Sequence, residues 1–329
     1  MTDAVDHRRR AGLLAALLGL STTGISAQGL VRTGRAVRLT VAYPAGGVSD
    51  ETARELALRL GSRLGVPVLV DHRPGAGGAV AMEALSRAGA DGLELVFCAI
   101  TPLLQQPQPG PARYDPVHDI APVAAVMRTP VLVVATPAFA GQSIADLVAA
   151  ARREPGRIRW ATSGHGTTGH RVLEQIRVAA GVDITHVPYT GGGQQITDAL
   201  AGHFEVLSSN VAARQLAYLR EGRWRALAVG APQRLPVLPD VPTLAEAGYP
   251  SANLSSLFGV FASGKAAPAR LDQWNVDINA VLGQADFRQR LLASGNLPAE
   301  GSRGAFIRRI AAEAAGWRRP AGDEGEARR

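Results

Sequence analysis

The chain is predicted to be an α/β protein. Short apolar strands alternate with helix-period patterns along most of it. The connections fall in loops rich in glycine and hydroxyl residues. Roughly 300 residues also exceed what one hydrophobic core usually holds, so two domains are expected. Residues 37–41 alternate apolar and polar side chains like a half-buried strand, which breaks at Pro44. The chain then passes Gly46 and Gly47 to Ser49 and Asp50, both good helix caps, and Ala53, Leu56, Ala57, Leu60 and Leu64 recur at helical spacing behind them. Residues 66–70 read as a strand, 73–78 as a loop, 79–87 as a helix and 95–100 as a strand entered through Asp91-Gly92. Strands follow at 131–135, 157–161, 184–187, 225–229 and 257–261, with a helix at 144–153. Repeated strand–helix alternation implies parallel sheets covered on both faces. Three consecutive helices, 269–282, 285–292 and 303–317, close the pattern, and no short repeat is visible.

The start of the chain predicts export. Arg8, Arg9 and Arg10 precede the apolar run 11–20, which is too short to span a bilayer, and a small-residue region ends at Ser26-Ala27-Gln28. That order is a secretory signal peptide over residues 1–27, with cleavage expected after Ala27. Ile25 stands where alanine is usual, and the paired arginines leave the twin-arginine route open beside the general one. No other apolar stretch reaches membrane-spanning length, so the mature chain is expected to be soluble. Cys98 is the only cysteine, inside a buried-strand pattern, which excludes an internal disulfide and a cysteine metal site. The segment before Gln28 carries three arginines and two aspartates, so +6 of the net charge of +7 stays with the mature chain. Lys265 is the only lysine and the arginines are scattered, which argues against a nucleic-acid groove. Residues 318–329, rich in Arg, Pro, Gly and Glu, read as a disordered tail.

Three loops have the chemistry of anion cradles. In residues 43–50 a strand gives way to glycines and a helix start, whose unpaired N–H groups carry partial positive charge; taken alone, this stretch reads equally as a tight strand-to-helix turn with no ligand. Residues 160–170, Trp-Ala-Thr-Ser-Gly-His-Gly-Thr-Thr-Gly-His, repeat that plan, and residues 185–193 give a third version through Tyr189-Thr-Gly-Gly-Gly193. In open α/β sheets such loops converge outside the carboxyl ends of the strands. Together they suggest a ligand with several acidic groups, or one clasped between domains.

Several segments resemble the substrate-binding proteins of tripartite tricarboxylate transporters, the Bug receptors. They are Tyr-Pro-Ala-Gly-Gly-Val-Ser-Asp at 43–50, Arg-Pro-Gly-Ala-Gly-Gly at 73–78, Asp91-Gly92 and Tyr-Asp-Pro-Val-His-Asp-Ile-Ala-Pro-Val at 114–123. Thr-Ser-Gly-His-Gly-Thr at 162–167 with His170, His-Val-Pro-Tyr-Thr-Gly at 186–191 and Leu-Pro-Asp-Val-Pro-Thr-Leu-Ala-Glu-Ala-Gly at 238–248 complete the set. The resemblance covers residues 37–317. It implies a periplasmic, two-lobed, type II-like binding-protein fold, each lobe a mostly parallel sheet flanked by helices, with the ligand cleft between. Residues 36–132 with 256–317 would form lobe 1 and residues 133–255 lobe 2, the chain crossing near Val133 and returning near Ser255. The implied function is a receptor, not an enzyme, that binds a small carboxylate and delivers it to the membrane permease subunits of such a transporter. The carboxylate could be a di- or tricarboxylate, an acidic amino acid or an aromatic acid. No cofactor is implied, and a monomer is the default for a diffusible carrier.

Carried onto this chain, the family's binding loops are 43–50 and 163–170, with the turn 189–192 and the strand end near Asn210. The expected ligand-binding residues are Tyr43, Ala45, Gly46, Gly47, Ser49, Asp50, Thr101, Ser163, Thr167, His170, Tyr189, Gly191 and Asn210. Backbone N–H groups of Ala45, Gly46 and Gly47 would hold a carboxylate, Ser163 and Thr167 would add hydroxyl donors, and Tyr189 a phenolic donor or an apolar wall. No arginine lies in these loops, which favours recognition by dipoles. The chain departs from the family at Gly192-Gly193-Gln194-Gln195, at Ser208-Ser209 and in the Pro-rich stretch between Thr101 and Arg113.

Some roles stay open at this level. Asp50 either caps its helix or receives a ligand ammonium. His165 and His170 are five residues apart, wrong for one helical face, so no metal site is expected. Ser163 lacks the Gly-x-Ser-x-Gly elbow of a nucleophile. A receptor that signals to a membrane sensor kinase without transport uses the same residues. An α/β enzyme acting on an acidic substrate is the remaining alternative, without a nucleophile–base pair or dinucleotide fingerprint to support it.

Overall fold

The computed structural model describes residues 34–104 and 114–317. The leader read over 1–27, the tail read over 318–329 and most of the Pro-rich stretch lie outside these residues. Strand β1 (Val37–Val41) leads to α1 (Val48–Leu64), β2 (Val68–His72), α2 (Ala79–Ser86), β3 (Glu94–Ala99) and the short α3 (Thr101–Leu104). Strand β4 (Ile120–Ala135) is followed by α4 (Ile144–Arg153), β5 (Arg159–Thr162), α5 (Thr168–Ala180), β6 (Thr185–Pro188) and α6 (Gly192–Leu200). Next come β7 (Val206–Asn210), α7 (Ala213–Arg220), β8 (Arg225–Gly230) and β9 (Ser255–Ser263). Helices α8 (Pro268–Leu282) and α9 (Ala285–Ala293), the two-residue β10 (Leu297–Pro298) and α10 (Arg303–Trp317) end the described chain.

The strands form one curled sheet in the order β2-β1-β3-β9-β4-β7-β5-β6, with β8 and β10 also paired to β4. The outer triplets β2-β1-β3 and β7-β5-β6 are parallel, as helical crossovers demand. Between them, β4 runs outward and β9 returns, so these two are antiparallel to each other and to their neighbours β7 and β3. Strand β4 belongs to both halves of the sheet: its residues up to Pro130 pair with β9, and Val131 onward lies between β7 and β8. Its prolines sit where a ladder can spare an N–H. Pro122 precedes a register shift, and Pro130 is the last residue opposite β9.

Each half has its own core. Around β1, β3 and β9, the face of α1 formed by Ala53, Leu56, Ala57 and Leu60 packs with Trp274, Ile278 and Phe97, all buried. The helix stops at Gly65, whose left-handed conformation (φ 69°) closes the last turn onto Gly61. Around β5 and β7, Trp160, Val172, Leu173 and Ile176 are completely buried, and the Trp160 indole N–H donates to Ser208 Oγ at 2.9 Å. Cys98 lies in a separate cluster with Met82, Leu85 and Phe261, and burial pushes its thiol up to about 12, an unreactive state at neutral pH. No helix among the described residues is long and apolar enough to cross a membrane.

Candidate ligand-binding cleft

The ends of β1, β3, β5 and β7 open onto one cleft. The β1–α1 loop and the start of α1 contribute Tyr43, Pro44, Gly47, Val48 and Ser49, and Ala99 ends β3 with Thr101 just beyond it. From the other half come Ser163, Thr167, Thr168 and Gly169 around the start of α5, and Gly192 and Ile196 of α6. Ser208, Ser209 and Asn210 end β7, Gln215 lies on α7, and Ser256 and Phe258 come from β9. The cavity measures about 80 Å³, enough for several waters or a small organic acid. Every one of these side chains is uncharged.

Two helix starts supply the polarity. Gly47 precedes α1 without any side-chain cap, and the N–H groups of Gly47, Val48 and Ser49 have no backbone acceptor among the described residues. Thr167 caps α5, its Oγ1 accepting from His170 N, while the N–H groups of Thr168 and Gly169 are likewise left open. Partial positive charge therefore meets the cleft from both halves. Two buried polar atoms at its wall, Ser209 Oγ and Gln215 Oε1, have no protein partner among the described residues. They are two of seven such atoms among the described residues, and at this wall a ligand or water can complete their bonding.

The expected residues divide clearly. Tyr43, Gly47, Ser49, Thr101, Ser163, Thr167 and Asn210 line the cleft; Ala45, Gly46, Asp50, His170, Tyr189 and Gly191 do not. The Gly46 N–H is already taken by Asp50 Oδ2 at 2.8 Å. Asp50 Oδ1 is held at 2.7 Å by both Arg54 Nε and His72 Nε2. Burial works against its charge, but the Gly46 N–H, His72 and Arg54 together hold the carboxyl below its usual range. Asp50 thus pins the loop from behind. The Tyr189 hydroxyl donates to Asp198 at 2.7 Å and is pushed up to about 12 by burial and that carboxylate. The buried Tyr43 hydroxyl accepts from Ala99 N at 3.3 Å and sits 3.6 Å from Cys98 Sγ, so its ring, edge-on to Phe258, offers the cleft a wall. Burial and the neighbouring thiol raise this phenol well above its ordinary value. Ser163 Oγ donates to Gln195 Oε1 at 3.0 Å, and Thr167 Oγ1 to Gly164 O at 2.8 Å. Gly191 brings the loops together, for a Cβ there would collide with the Pro44 ring.

Residues absent from the expectation are Gln215, Ser256 and Phe258, which only the folding of α7 and β9 brings to the cleft. Ser208 and Ser209 were noted as departures, and both are wall residues. His186 was quoted in a motif without a role. Its ring stacks on His170 with centroids 4.3 Å apart, and His165 meets both edge-on. These three form the group of possible metal ligands among the described residues. One ring nitrogen from each lies within 4.8 Å of the others, but His170 Nδ1 already accepts from Gly166 N at 3.1 Å and His186 Nε2 meets Thr162 Oγ1 at 2.7 Å. The arrangement is not a preformed metal centre.

A family model described as "Tripartite tricarboxylate transporter family receptor" matches residues 52–319. The chain belongs to this receptor family. Protein BugT of Bordetella pertussis is 32% identical over 291 residues, covering 87% of this chain and 89% of that one. An R. palustris protein solved with adipate superposes with a TM-score of 0.80 at 32% identity, covering 86% of this chain and 95% of that one. MatC from Rhodopseudomonas palustris, solved with bound malate, gives 0.79 at 26% identity over 86% and 97%. The periplasmic binding protein BugD gives 0.78 at 25% identity over 86% and 95%. The chain is therefore a solute-binding receptor of the tripartite tricarboxylate transporter family with a periplasmic-binding-protein fold.

Proposed function

We propose that this receptor binds a small carboxylate in the periplasm and delivers it to the membrane subunits of a tripartite tricarboxylate transporter. One observation carries the reading: an uncharged cleft is entered by two helix starts whose N–H groups lack protein acceptors among the described residues. Dipoles of that kind stabilise an anion without a buried counter-charge, so binding stays reversible, as delivery requires. The adipate and malate named for two solved relatives support the same ligand class. Residues 36–132 with 256–317 and residues 133–255 act as two lobes. Strand β4 and the entry to β9 form the hinge, and the ligand shifts the population toward the closed form.

The engagement of Asp50 by Gly46, Arg54 and His72 favours a plain carboxylate over an amino acid, because no acid is left to receive an ammonium group. A thermal-shift screen of the chain from Gln28 onward against mono-, di- and tricarboxylates, acidic amino acids and aromatic acids tests the proposal. A ligand at a hundredfold its dissociation constant adds about 2.7 kcal/mol of stability. A rise in melting temperature with plain carboxylates is expected. A rise only with amines or neutral solutes would overturn the assignment.

A further inference from the structure

The loop that carries Ser163 and Thr167 to the cleft rests on a histidine cluster outside it. Thr162 Oγ1 bonds both the N and the O of Gly164 at 3.2 Å and meets His186 Nε2 at 2.7 Å. The His186 ring stacks on His170, and His170 Nδ1 accepts the N–H of Gly166 at 3.1 Å. An imidazole nitrogen accepts a hydrogen bond only through its lone pair. Adding a proton there sets an N–H against an N–H and brings charge beside two further imidazoles. The groups facing His170 are His165 from the loop, His186 from β6, and Glu174 and Arg177 from its own helix. Only Glu174, whose Oε1 is 3.7 Å from Nε2, would welcome the charge.

We propose that His170 is a positioning residue for the ligand loop, acting through the unprotonated Nδ1 that receives the Gly166 N–H, and that its protonation lowers ligand affinity. Burial first, with His165 and Arg177 adding to it, holds His170 below its ordinary value, and burial with the same neighbours pushes His186 down to about 4. The loop is therefore intact at neutral pH and loosens on acidification. This extends the carboxylate-receptor reading, and its test has an arm that needs no ligand.

In nitrogen-15-labelled protein, the Gly166 amide resonance and the His170 ring nitrogens are followed from pH 8 to pH 5. The Gly166 signal is expected to move with the midpoint of His170 Nδ1. An amide indifferent to that titration would overturn the proposal whether or not a carboxylate binds. The second arm measures malate affinity at pH 7.5 and 5.5 in wild type and in His170→Asn, whose Oδ1 can replace Nδ1 as acceptor but does not titrate. Wild type is expected to weaken about two- to threefold more than the variant between the two pH values, as a single proton on a histidine held below its ordinary value allows, with the variant within about threefold of wild type at pH 7.5. Identical pH profiles would sink the coupling between the loop and the cluster. If malate binds at neither pH, the ligand assignment suffers and the amide titration still decides the histidine's role.

Discussion

The two loops that face each other across the cleft do similar chemistry by different means. The β1–α1 loop presents bare backbone: Gly47 has no capping side chain, and the loop's one acid, Asp50, is turned behind it onto Gly46, Arg54 and His72. The β5–α5 loop is laced with side chains, Thr162 and Thr167 holding Gly164, Gln195 holding Ser163, and His170 holding Gly166. The first loop owes its shape to glycine and to one buried carboxylate. The second owes it to a network of several side-chain hydrogen bonds, so losing one member removes only part of its support.

The sharpest way to break this contrast is Gly47→Val. A Cβ at Gly47 meets nothing within 4 Å and the backbone suits an L-residue, so the fold should tolerate it while the branched side chain blocks the N–H groups. Carboxylate affinity should fall at least about a hundredfold, roughly 2.7 kcal/mol, with an almost unchanged melting temperature. Equal affinity in a calorimetric titration would remove the first loop from the site. Next comes Asp50→Asn, which should cost about 2 kcal/mol of stability at pH 7, because it removes charge-assisted bonds from a buried position. The folded-state carboxyl lies below its unfolded value near ~3.9. The contribution is thus present above that value and lost as pH falls through the folded one. Denaturant curves should show the gap between wild type and variant closing as pH falls below the unfolded value. A constant gap would mean that shape, not charge, holds the first loop.

Smaller effects are expected from the second loop. Gln195→Leu leaves Ser163 without its acceptor and should weaken ligand binding by about tenfold, near 1.4 kcal/mol, measurable in the same titration. Thr167→Ala removes the α5 cap and should cost about 1 kcal/mol of unfolding free energy. If either matched Gly47→Val in its effect on binding, the division between a fixed and an adjustable loop would fail.

Much of this was legible in the residues. Alternation and helical spacing placed β1, α1, β3, α4 and α10, because periodicity records which face is buried. The strand–glycine–helix turns at 43–50 and 160–170 were legible too, although glycine beside a helix start serves a tight turn without a ligand equally well. The first eleven residues of β4 were not read as strand, because Pro122 and Pro130 look like breaks until β9 is seen pairing around them. Nor did the sequence reveal that Asp50 and Tyr189 are occupied by His72 and Asp198, since those bonds depend on tertiary contacts. The histidine cluster was invisible for the same reason. Two of its members are five residues apart on α5 and the loop before it, and the third arrives on a strand sixteen positions later.

Strand β4 also sets how this molecule can be taken apart. Sixteen continuous residues serve both halves of the sheet, so a break away from the Pro130–Val131 junction strips one half of part of a central strand and leaves raw hydrogen-bonding edges. Transplanting one half into a relative means splicing within a strand, at the Pro130–Val131 junction, instead of at a linker. Chimeras that exchange loops across the cleft keep that shared spine intact, which makes loops, not lobes, the natural unit of exchange between these receptors.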